Sequence, residues 1–66
     1  MQITLNGKPY THDTVSSVQS LLDALEIKNR RVAVMVNEVV IKKDSFSRSA
    51  LQEGDQVEII QMVGGG

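Results

Sequence analysis

Three consecutive glycines, Gly64, Gly65 and Gly66, follow directly on the apolar run of residues 57–63, and they are where the chemistry of this 66-residue chain is most concentrated. Glycine carries no Cβ, so such a tail passes channels that other residues would block and reaches backbone conformations they avoid. A strand-like segment, residues 56–62, runs almost to the α-carboxylate. That arrangement suits a carboxylate that must be inserted into another protein's active site. The bland alternative is a frayed terminus or a cloning scar, and the tail by itself does not choose between them. A terminal carboxyl group ionises near pH ~3.5, so at neutral pH it is an anion and a poor electrophile until something activates it.

Other chemistry finds little support. The chain has no cysteine, so it offers no thiolate as nucleophile or metal ligand, and any covalent group it carries must sit elsewhere. His12 is the single histidine, with Asp13 beside it. Neighbours on an extended segment point to opposite faces, so the pair is not a base with its orienting acid, and His12 reads as a surface residue. No metal-ligand spacing occurs, and no glycine loop between a strand and a helix is present to cradle phosphate. Ser45, Ser47 and Ser49 read as solvated loop. These features argue against a catalyst of its own.

Seven basic residues against eight acidic ones give a net charge of −1, without the basic stripe of a nucleic-acid partner. The clusters at residues 28–31 and 42–43 are short, flanked by acids, and read as solvated loop ends rather than a phosphate patch. No apolar run is long enough to cross a membrane, and residues 1–5 alternate like a strand rather than a signal peptide, so the expected compartment is the cytoplasm. Sixty-six residues make one small domain whose core, with only Tyr10 and Phe46 as aromatics, must be built from Val, Ile, Leu and Met.

The elements follow from periodicity. Residues 1–5 alternate as a half-buried strand. Asn6-Gly7 is a strong hairpin signal, and residues 8–12 return as a second strand, at an edge because Pro9 lacks an amide donor. Ser16 or Ser17 caps a helix of about ten residues, with residues 16–19 fitting a capping box. Val18, Leu21, Leu22 and Leu25 share its inner face, Gln19, Ser20, Asp23 and Glu26 face outward, and Lys28-Asn29 mark its end. Residues 32–36 read as a strand buried on both faces or nearly so, Asn37-Glu38 as a turn, and residues 39–41 as its return. Residues 42–50 read as a loop holding one helical turn anchored by Phe46. Residues 53–55 turn the chain into the last strand, 56–62. One helix across one face of a mixed four- to five-stranded sheet, with first and last strands adjacent at its centre, is an α+β solution of the ubiquitin-like β-grasp kind. The domain is expected over residues 1–63, with residues 64–66 as a tail.

One helix covers one face of such a sheet. The last strand is apolar on both sides, Val57 and Ile59 pointing one way, Ile60 and Met62 the other. One pair packs under the helix. The other forms an exposed patch for a partner, or lies beneath Phe46 and its loop. Residues 63–66 fully extended would reach about 13 Å beyond a docked body.

End to end, the chain resembles the sulfur-carrier proteins of thiamine biosynthesis, small relatives of ubiquitin that end in diglycine. The resemblance rests on the opening Met1-Gln2-Ile3, the Asn6-Gly7 turn, Val18-Gln19-Ser20-Leu21-Leu22, Ala33-Val34-Met35-Val36-Asn37 with Val40-Ile41, Leu51-Gln52-Glu53-Gly54-Asp55, and the closing Val63-Gly64-Gly65-Gly66. A third glycine precedes the diglycine here. The resemblance implies that a ubiquitin-activating-type adenylyltransferase adenylates the Gly66 carboxylate with ATP. It further implies that sulfur relayed as a persulfide, from a cysteine desulfurase or another donor, converts Gly66 to a thiocarboxylate, and that thiazole synthase takes this sulfur. Gly64 and Gly65 then serve passage. Ile60, Met62 and Val63 are docking candidates, the first two chosen by alternation. No cofactor or metal is expected on the carrier itself, and neither nucleic acid nor membrane as partner. The small subunit of molybdopterin synthase, and a ubiquitin-like modifier or adaptor, are the alternative readings.

Overall fold

The structure is a computed structural model, and it describes residues 1–27 and 31–61. The elements run β1 (Gln2–Leu5), β2 (Lys8–Thr11), α1 (Val18–Ala24), β3 (Val32–Val36), β4 (Val39–Ile41), a 3-10 segment (Lys43–Arg48) and β5 (Gln56–Gln61). The five strands form one sheet in the order β2-β1-β5-β3-β4. β1 and β5 lie parallel at its centre, while β1–β2, β3–β4 and β3–β5 are antiparallel. This is the ubiquitin-like β-grasp, and Pro9 sits on the edge strand β2, where a missing donor costs no ladder bond.

Both hairpins close through two residues at positive φ. Asn6 and Gly7 stand at 50° and 82°, Asn37 and Glu38 at 50° and 69°. Such turns match the twist of the flanking strands, which is why Asn-Gly was informative. Gly54, at φ 86°, is the third residue of a turn closed by the Asp55 N–H donating to the Gln52 carbonyl at 3.1 Å. A type II turn demands positive φ at that position.

α1 is seven residues, shorter than its apolar spacing suggested. Ser17 is the N-cap, and the reciprocal bond comes from Ser20, one residue on from the expected Ser16–Gln19 frame. The Ser20 N–H donates to Ser17 Oγ at 3.1 Å, and the Ser17 N–H to Ser20 Oγ at 2.8 Å. A serine hydroxyl therefore performs the part usually given to Glu or Gln. Gln19 instead donates from Nε2 to Asp23. The helix stops because Glu26 enters the left-handed region at φ 58°. Its N–H donates to the Asp23 carbonyl and that of Ile27 to Leu22, the two bonds of a Schellman end. Lys28 and Asn29, expected to mark this end, lie outside the described residues.

The core lies between α1 and one face of the sheet. Val18, Leu21 and Leu22 meet Ile3, Val32, Val34, Val57 and Ile59, closed by Val15, Phe46 and Leu51. Leu25 packs at its margin. The segment carrying Phe46 makes six residues of 3-10 helix rather than one turn. It packs beside α1, tied there by the Val18 N–H donating to the Ser49 carbonyl and the Leu51 N–H to Ser16. In β3, Val32 and Val34 are buried but Ala33 and Met35 only half so, which corrects the expectation of a strand enclosed on both sides. A single helix leaves the far face of the sheet to solvent.

Candidate functional site

The site is built around the last strand. Along β5 burial alternates: Val57 and Ile59 are in the core, while Gln56, Glu58 and Ile60 face away from the helix. The period-2 reading therefore holds for Val57, Ile59 and Ile60, and Ile60 is 54% exposed. Phe46 lies in the core on the helix side, so it does not cover this patch as the loop-cover alternative required. Register brings Ala33 opposite Ile60, Met35 opposite Glu58, and Val40 opposite Met35. The open face thus carries a half-apolar strip from Ile60 through Ala33 and Met35 to Val40. Met62, Val63, Gly64, Gly65 and Gly66 lie outside the described residues.

Two asparagine side chains hold β5, and sequence reasoning saw both only as turn formers. The Thr4 N–H donates to the Asp55 carbonyl at 2.9 Å and the Asn6 N–H to Val57 at 2.9 Å, successive rungs of the parallel β1–β5 ladder. The backbone then turns away at Gly7, and the Asn6 side chain supplies the next rung. Its Oδ1 accepts the Ile59 N–H at 2.8 Å and its Nδ2 donates to the Ile59 carbonyl at 3.3 Å. A primary amide presents one acceptor and two donors, so it imitates a peptide group here.

Asn37 holds the start of β5 with its backbone and side chain together. Its N–H donates to the Gln56 carbonyl at 2.7 Å and its Oδ1 accepts the Gln56 N–H at 3.0 Å. Its Nδ2 also reaches Asp55 Oδ1 at 3.0 Å. Both clamps come from the first residue of a two-residue hairpin turn. That shared position was the only signal available in the sequence. An open depression beside β5, lined by Thr4, Asn6, Gly7, Gln56, Val57 and Glu58, follows this seam.

His12 takes part in none of this. Its Nδ1 lies 3.0 Å from Thr14 Oγ1 and accepts the Thr14 N–H, and its ring stacks on Tyr10 with centroids 6.2 Å apart. No group of three or more metal-ligating side chains occurs among the described residues.

Comparison with known proteins decides the family. A family model described as "ThiS family" matches residues 3–66. The chain belongs to the ThiS family. A relative from Bacillus subtilis, "Sulfur carrier protein ThiS", is 35% identical, with 97% of this chain and 98% of the relative covered. A "Thiazole synthase" from Magnetococcus marinus is 35% identical over all of this chain, and the chain spans about a fifth of that relative's length. The crystal structure of a "thiamine biosynthesis protein (ThiS)" from Geobacter metallireducens shares 38% identity and a TM-score of 0.83, with both chains covered in full. ThiS-family proteins are carriers rather than catalysts. Among the described residues, no helix is long and apolar enough to cross a membrane.

Proposed function

We propose that the chain is a sulfur carrier of thiazole formation in thiamine biosynthesis, with the Gly66 carboxyl carbon as its reactive centre. The observation that carries the reading is that the family model matches residues 3–66, Gly64–Gly66 included, in a chain whose last strand, β5, lies between two others and ends at Gln61. The carboxylate oxygen attacks the α-phosphorus of ATP in the active site of a ubiquitin-activating-type adenylyltransferase, and pyrophosphate leaves. The acyl adenylate now has a good leaving group. A persulfide sulfur, from a cysteine desulfurase or an equivalent donor, attacks the carbonyl carbon and AMP departs. Cleavage of the resulting S–S bond by a thiol frees the thiocarboxylate, which a thiazole synthase consumes.

This chain's own part is position. Gly64 and Gly65 pass through the cleft that admits Gly66. Ile60, with Met62 and Val63, docks the body. The Asn6 and Asn37 clamps fix the register of β5 and hence where the tail departs. The absence of cysteine suits a carrier whose sulfur resides on a carboxyl carbon.

Deletion of Gly65 and Gly66 tests the reading. The shortened chain is expected to keep its circular-dichroism spectrum and melting temperature but to lose ATP–pyrophosphate exchange with the activating enzyme. Exchange at the full-length rate would overturn it.

A further inference from the structure

β4 is an edge strand, and its exposed residues are apolar: Val39 is 60% and Val40 66% exposed. Edges of this kind pair with other strands unless something blunts them. The flanking residues supply a pattern. Glu38-Val39-Val40-Ile41-Lys42 reads the same in either direction in hydropathy, three β-branched residues between two charged ends, while reversal exchanges acid for base.

The free hydrogen-bonding groups have the matching parity. The two-residue turn Asn37-Glu38 leaves Val36 opposite Val39, and a turn of this kind joins them by a hydrogen bond. Inward and outward groups alternate along an antiparallel strand, so Val39 and Ile41 bond to β3 and Val40 turns its N–H and carbonyl to the open edge. An antiparallel pairing centred on Val40 then places Val40 opposite Val40 of a second copy, each donating to the other. Val39 falls opposite Ile41 of that copy, twice over, and Glu38 opposite its Lys42, also twice. Every exposed apolar side chain of β4 gains a neighbour, and the charges complement one another.

We propose that this edge is a self-association surface, through which two copies form a two-fold symmetric dimer with a continuous ten-stranded sheet. β3 stands between β4 and β5, so neither copy's Ile60 nor its last strand lies at the junction. Three residues a side bury far less than the roughly 1,000 Å² of a permanent interface. The dimer is therefore weak and concentration-dependent, and it forms without any other protein.

Sedimentation equilibrium on the full chain tests this up to about 1 mM, a range suited to a small interface. The weight-average mass is expected to rise from 7.2 kDa toward twice that value. Glu38→Lys alone sets Lys against Lys at both ends, and Lys42→Glu alone sets acid against acid. Each should weaken association by about tenfold or more. An equimolar mixture of the two variants should associate again, because every facing pair is then opposite in charge, and so should the doubly exchanged Glu38→Lys/Lys42→Glu chain. Wild-type mass fixed at 7.2 kDa overturns the proposal. So does association that the single reversals leave unchanged, or that the mixture does not restore.

Discussion

Asn6 makes three contributions from one side chain's worth of atoms. It accepts a φ of 50°, opens the first hairpin turn, and closes two hydrogen bonds to Ile59, fifty-three positions away. Asn6→Ala leaves the Ile59 N–H without its partner and forces alanine into the left-handed region. The expected loss is about 2–3 kcal/mol, since an orphaned donor costs about 1–3 and the backbone strain adds to it. In a domain this small that lowers the melting temperature by roughly 10 °C or more, and amide exchange at Ile59 should accelerate most. Asn6→Asp keeps the acceptor for the Ile59 N–H and should lose less. An Asn6→Ala chain that melts with the parent would show the clamp to be incidental. The turn itself was legible, because Asn-Gly has a local conformational cause. The clamp was not, because it depends on which strand is brought alongside, a fact of topology rather than of neighbouring residues.

At the scale of elements, the ends are where physical signals competed. The apolar stripe Val18, Leu21, Leu22, Leu25 located α1 and its buried face correctly, but not its length. Lys28-Asn29 carries the usual marks of a helix end, yet the turn is made earlier, by Glu26 at φ 58°. No residue preference announces a glutamate there. The Schellman bonds and the packing of Ile27 against the core hold it. Glu26→Gly removes the Cβ strain while adding unfolded-chain entropy, for a net gain of about 0.5 kcal/mol. Urea denaturation should show a midpoint shifted upward with an unchanged slope, whereas a lower midpoint would mean that Glu26 contributes something besides its backbone angle. The capping box failed by one position for a similar reason. Ser16, Ser17 and Ser20 all qualify chemically, and the antiparallel bridge between Ser17 and Ala50 selects the frame. Phe46 was recognised as an anchor, but the side of the sheet it anchors is set by its packing beside α1.

At the scale of the molecule, the pairing of first and last strands at the sheet centre and the two-sided alternation of β5 were readable, while which side of β5 meets the helix is shown by the burial of Val57 and Ile59. The consequence is a body with one closed face and one open face. Docking on the open face predicts that Ile60→Glu changes stability by less than about 1 kcal/mol, because Ile60 is 54% exposed. The same substitution should raise the KM of the activating enzyme for the carrier about thirtyfold, as expected for a central anchor lost from an interface. An unchanged KM would move the docking surface elsewhere. The tail's chemistry rests on the residues beyond β5, and intact-mass spectrometry addresses it most directly. Incubated with the adenylyltransferase, ATP, cysteine, a desulfurase and a thiol reductant, the chain should gain about 16 Da, sulfur replacing one carboxyl oxygen, with the added mass confined to the fragment ending in Gly66. A mass that stays constant, or one that grows by whole lysine-linked proteins, would contradict the carrier account.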